Sequence, residues 1–151
     1  MDIKKISPNL SVSDQIKLTD FNALKSQGFQ SIINVRPDAE DDGQLSSKET
    51  QEMAIEMGFD YVHIPVVSGN VTDKNVADFK EKLSEMTGPV LSFCRTGTRA
   101  VTLWALAESG HLSTAAILDT ANEAGYDISS LADRLDLANK KLSKPQRTFD
   151  N

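Results

Sequence analysis

Cysteine, histidine and tryptophan are nearly absent from this chain: 151 residues carry one Cys, two His and one Trp. One cysteine makes no internal disulfide, so a reducing, cytoplasmic setting is expected. One thiol and two separated histidines offer no close metal-ligand spacing, so neither a zinc site nor another cofactor is expected. No apolar run approaches the ~18 residues of a membrane span, and the opening residues lack the apolar core of a secretion signal. Basic charge is also scarce, with 16 Lys and Arg against 22 Asp and Glu and a formal net charge of −6. That balance excludes a general footprint for nucleic acid or for an anionic membrane. Any anion site must therefore be local.

Repeats and low-complexity linkers are missing too, which predicts one domain over 1–142 and a loose C-terminal tail over 143–151. What is present alternates between strand and helix patterns. Strands are expected in "NLSVSDQI" (weakly), "QSIINVR" (30–36), "YVHIPVV" (61–67) and "PVLSF" (89–93). Helices are expected after Thr19 as a cap, after Ser46 with Glu49 in capping-box spacing, and after Thr72, with Val76, Phe79, Leu83 and Met86 on one face. "RAVTLWALAES" is almost wholly apolar and reads as a buried helix. Two amphipathic helices follow, over about 113–124 and 129–142. The alternation predicts a three-layer α/β architecture, a mainly parallel sheet with helices on both faces. Ligands in such folds bind beyond the carboxyl ends of the strands, where Cys94 falls.

The stretch "VLSFCRTGTRA" holds the chemistry. A helix beginning near Thr98 leaves its first N–H groups free and carries partial positive charge there. Gly97 lets the loop before it curl into an anion-binding nest of Arg95, Thr96, Gly97 and Thr98. A cysteine inside that nest is expected to favour thiolate over thiol, and Arg99 can grip an oxyanion with two parallel bonds. A lone cysteine is usually a small buried core residue, but this context favours a functional thiol.

"SIINVRPDAE", "YVHIPV" and "VLSFCRTGTRA" together resemble the beta-lactamase-hydrolase-like phosphatase-like domains of bacteria, which are related to dual-specificity protein phosphatases. The resemblance implies a cysteine-phosphatase fold, Cys94 as nucleophile, residues 95–99 as phosphate cradle and Arg99 as transition-state clamp. It also implies a cysteinyl-phosphate intermediate, no metal, and a functional link to a metallo-beta-lactamase-type hydrolase. Four residues separate Cys94 from Arg99, where the usual phosphatase signature has five. Phe93 stands in place of its histidine, and Ala100 in place of its serine or threonine. No aspartate directly follows the "HIPV" strand, which leaves Asp73 as candidate general acid, with a helix N-terminal charge as its alternative role, and Asp38 as a second candidate.

The six-residue "CRTGTR" is also similar to the rhodanese active-site loop, where a cysteine carries a persulfide and no acid is required. The expected activity is thus hydrolysis of phosphate monoesters of the aryl or phosphotyrosine type. Sulfur transfer is the alternative, and a non-catalytic module that binds tetrahedral oxyanions is the third. Arg36 is expected either to join the anion pocket or to pair with the "DAEDD" turn, whose Asp38, Glu40, Asp41 and Asp42 read as surface charges. His63 reads as a hydrogen-bonded structural residue, and Tyr126 is unassigned between rim and helix contact.

Overall fold

Short β-branched segments pair into one five-stranded sheet, in the order β1-β2-β5-β3-β4. The computed structural model describes residues 1–142; the tail over 143–151 lies outside the described residues. β1 (Lys4–Ser7) runs antiparallel to β2 (Leu10–Ser13), whereas β2, β5 (Val90–Phe93), β3 (Ser31–Asn34) and β4 (Asp60–His63) are parallel. Every residue of β3 and β5 is buried, as central parallel strands covered on both faces require.

Because side chains alternate across a strand, the two faces feed two cores. Ile32, Leu91 and Phe93 pack with Phe21, Leu24 and Ala54 beneath α1 (Phe21–Ser26) and α2 (Ser47–Glu56). Ile33, Val90 and Cys94 face the other way, against α3 (Asp73–Glu85), α4 (Thr98–Glu108), α5 (Thr114–Glu123) and α6 (Ala132–Leu142). Each fully buried Leu, Ile or Phe contributes roughly 1.5–3 kcal/mol of transfer free energy. The strand that delivers Cys94 is therefore held from both sides.

Helix starts follow their expected chemistry at Ser46 and Thr72. Each side chain accepts the N–H three residues on, and Glu49 and Asn75 return the bond to the cap's own N–H. α4 starts at Thr98 and is buried from Arg99 to Leu106. Two expectations need correction, and one strand is added. Thr19 caps nothing; it sits inside a 3-10 turn, Leu18–Asp20, where the Asp20 carboxylate accepts the Lys17 N–H and closes the turn instead. The strand over 61–67 is regular only to His63, because Pro65 has no N–H to donate, although Ile64 and Val66 still bond to Asn34 and Val35. β1 was not anticipated, since "KKIS" has too few apolar residues to signal a strand. No helix among the described residues is long and apolar enough to cross a membrane.

Candidate active site

Level registers of β3 and β5 bring Arg36 and Cys94 to one edge of the sheet, where the Val35 N–H donates to the Phe93 carbonyl at 3.0 Å. The 94–99 loop leaves that edge and turns into α4. Its Arg95 carbonyl accepts the Gln15 N–H at 3.2 Å and ties the loop to the segment after β2. Gly97 holds φ at +98°, a left-handed value that L side chains rarely adopt. This turn directs the Gly97 N–H at Cys94 Sγ, 3.0 Å away. Cys94 is fully covered. Arg95, Thr96, Thr98 and Arg99 line a cavity of about 620 Å³ together with Ser68, Ser130 and Arg134, whereas Cys94 and Gly97 are not among its lining residues.

Arg99 is 8% exposed and its guanidinium is fixed on two sides. Nη1 donates to Glu40 Oε2 at 2.7 Å and to the Val66 carbonyl at 2.9 Å, and Nη2 donates to Glu40 Oε1 at 2.9 Å. An arginine has five N–H donors. Those three bonds leave Nε and the second hydrogen of Nη2 uncommitted to Glu40 or Val66, a fork with the spacing for two oxygens of one oxyanion, and Arg99 also interacts with the Cys94 sulfur. The Glu40 bond raises the pKa of Arg99 against the opposing effect of burial, and the nearby Cys94 sulfur adds to the rise.

Glu40 in turn serves two cations. The hydrogen bonds from Arg99, then those from Arg36, hold its carboxyl down at about 2, although burial opposes them. Arg36 is buried, and each of its nitrogens has a partner, with Nε on Glu40, Nη1 on Gln15 Oε1 and Nη2 on Asp41. It does not line the cavity, and the pairing with the acidic turn is the arrangement observed. Asp41 also approaches Arg95, Nε to Oδ2 at 3.5 Å, at the mouth.

The sequence reading therefore missed Glu40 and Asp41, which are not plain surface charges. The available signal was position: their turn follows β3 at the strand edge that also carries Cys94. Asp73 is outside the cavity lining, its side chain exposed and paired with Arg134 at 3.1 Å. His63 is structural, its Nε2 within 2.7 Å of the Arg36 carbonyl oxygen. Among the described residues, no group of three or more His, Cys, Asp or Glu is placed to hold a metal ion.

This sheet order, with a cysteine-to-arginine loop running from a central strand into a buried helix, is the architecture of cysteine-phosphatase-like proteins. Residues 2–111 match the family model of the beta-lactamase hydrolase-like protein, phosphatase-like domain, and the chain belongs to that family. A beta-lactamase hydrolase-like protein of Agrobacterium fabrum is 37% identical over 130 residues, which are 85% of this chain and 30% of that protein. The chain thus spans about 30% of the length of the curated relatives it matches. The crystal structure of a candidate phosphatase from Neisseria meningitidis superimposes with a TM-score of 0.84 at 28% identity, over 91% of this chain and 99% of the other. The catalytic core of the PP-IP phosphatase SIW14 of S. cerevisiae shares the fold, with a TM-score of 0.71 at 14% identity over 93% of this chain and 86% of the other.

Proposed function

We infer that the protein is a cysteine-dependent phosphatase acting on phosphate monoesters. One observation carries this reading: Arg99, anchored by Glu40 and the Val66 carbonyl, interacts with a cysteine sulfur that already accepts a backbone N–H. A phosphoryl group seated between Thr96, Thr98 and Arg99 has two oxygens on the guanidinium and its phosphorus toward Sγ. The Cys94 thiolate attacks phosphorus, forming an S–P bond as the ester P–O bond breaks. Arg99 stabilises charge that spreads over the equatorial oxygens. Water then attacks the same phosphorus, breaking the S–P bond, releasing inorganic phosphate and restoring the thiolate.

The leaving oxygen needs a proton in proportion to its basicity, and the carboxylates lining the cavity, Glu40 and Asp41, are both ion-paired. That favours aryl phosphates, whose phenolates leave with less protonic help than alkoxides. The test is rapid acid quenching during turnover of p-nitrophenyl phosphate, followed by mass spectrometry of the peptide bearing Cys94. One added phosphoryl group on Cys94 supports the account, and phosphoryl transfer elsewhere or none during turnover ends it.

Sulfur transfer remains a second reading on one specific observation: only four residues separate Cys94 from Arg99, so the ring they enclose is small. A persulfide sulfur on Cys94 fits a smaller ring than a tetrahedral dianion and requires no acid.

A further inference from the structure

Three helices of this chain end alike. Gly28, Gly58 and Gly125 take φ of +88°, +84° and +95°, and each is followed by an aromatic residue, Phe29, Phe59 and Tyr126. The aromatic N–H bonds back to Leu24, Ala54 and Ala121 respectively, at 3.2, 2.8 and 2.9 Å, the long reach of a Schellman motif. That reversal returns the ring over the helix's last turn. Phe29 and Phe59 go into the core, 8% and 5% exposed.

Tyr126 goes elsewhere. It is half-buried, and its hydroxyl ends at the 94–99 loop, where it donates to the Thr96 carbonyl at 3.4 Å. The same hydroxyl fills the space that any Cβ at Gly97 would need. Burial, then the electrostatic effect of Cys94, raise the pKa of the phenol.

The Thr96 carbonyl and the Gly97 N–H belong to one peptide unit. In a trans peptide they point in opposite directions. The carbonyl is held outward by Tyr126, and the N–H meets Cys94 Sγ at 3.0 Å. Gly97 has no side chain to resist rotation of that plane. We propose that Tyr126 is a positioning residue: its hydroxyl fixes the 96–97 peptide so that the Gly97 N–H stays on the nucleophile's sulfur. The residue lies beyond the segment matched by the family model, which ends at 111. The connection between α5 and α6 therefore takes part in the site. The inference rests on the reading of Cys94 as nucleophile.

The experiment compares wild type with Tyr126→Phe, which keeps the ring and removes only the hydroxyl. Amide hydrogen exchange followed by NMR reads Gly97 directly, and p-nitrophenyl phosphate turnover reads kcat and KM. Losing one hydrogen bond predicts roughly fivefold faster exchange at Gly97 and a similar fall in kcat, with KM, melting temperature and exchange within α4 unchanged. Unchanged exchange at Gly97, or faster exchange with full kcat, overturns the proposal. Should the wild type show no Cys94-dependent turnover, the phosphatase reading falls and the Gly97 exchange comparison alone decides this one.

Discussion

Glu40 shows how one carboxylate in a cavity wall can organise the arginines around it. It holds the end of Arg99 and the Nε of Arg36, so the clamp and the buried arginine behind it form one connected unit. The pKa of about 2 makes this a statement about stability as well. Glu40 titrates lower in the folded chain than its ordinary value of 4.5, so its contribution is complete above about 4.5 and is lost as pH falls through about 2. In urea unfolding, wild type is expected to exceed Glu40→Gln by a constant margin from pH 5 to 7, and the margin should shrink steadily between 4.5 and 2. A margin independent of pH over that window would show that the charge of Glu40 is not what holds the two arginines. Cys94, Gly97 and Arg99 were legible in the sequence because their spacing encodes a loop running into a helix. Glu40 was not, because its partner is 59 residues away and an acidic turn looks the same whether it faces water or an arginine.

Helix ends were the most readable elements, since caps act through neighbours in sequence. Ser46 and Thr72 are caps for local reasons that survive in the fold. Thr19 failed as a cap because Asp20 reached the Lys17 N–H and set a 3-10 turn in its place. The glycine–aromatic pair repeated at 28, 58 and 125 is local as well and was not read from the sequence, and the destination of each ring depends on tertiary packing. Gly28 tests the local part of that pattern without touching the site. A Cβ there meets nothing within 4 Å, so only the φ of +88° resists substitution. Gly28→Ala should lower unfolding free energy by roughly 1–2 kcal/mol, the cost of a left-handed L-residue, and leave kcat for aryl phosphate unchanged. A neutral substitution in urea titration would mean that the end of α1 is not held in that conformation.

The α/β layering followed from alternating patterns, and the sheet that they build has Cys94 at the carboxyl edge where such folds bind ligands. What stayed hidden is how the chain after residue 112 serves the site. Ile117, Ala121, Ile128 and Leu135 are buried in the core that also contains Cys94, while Ser130 and Arg134 complete the cavity wall. Amphipathic patterning can announce these helices, but the face of the sheet that they cover is set by packing between distant segments.

Phosphoryl transfer by Cys94 and its loop, as proposed, is open to a direct test. Purified wild type and Cys94→Ser, assayed side by side for nitrophenol from p-nitrophenyl phosphate and for thiocyanate from thiosulfate and cyanide, test it most directly. Nitrophenol release in wild type only, with no thiocyanate, is the expected result. Equal nitrophenol release by both proteins, or Cys94-dependent thiocyanate without nitrophenol, would contradict it.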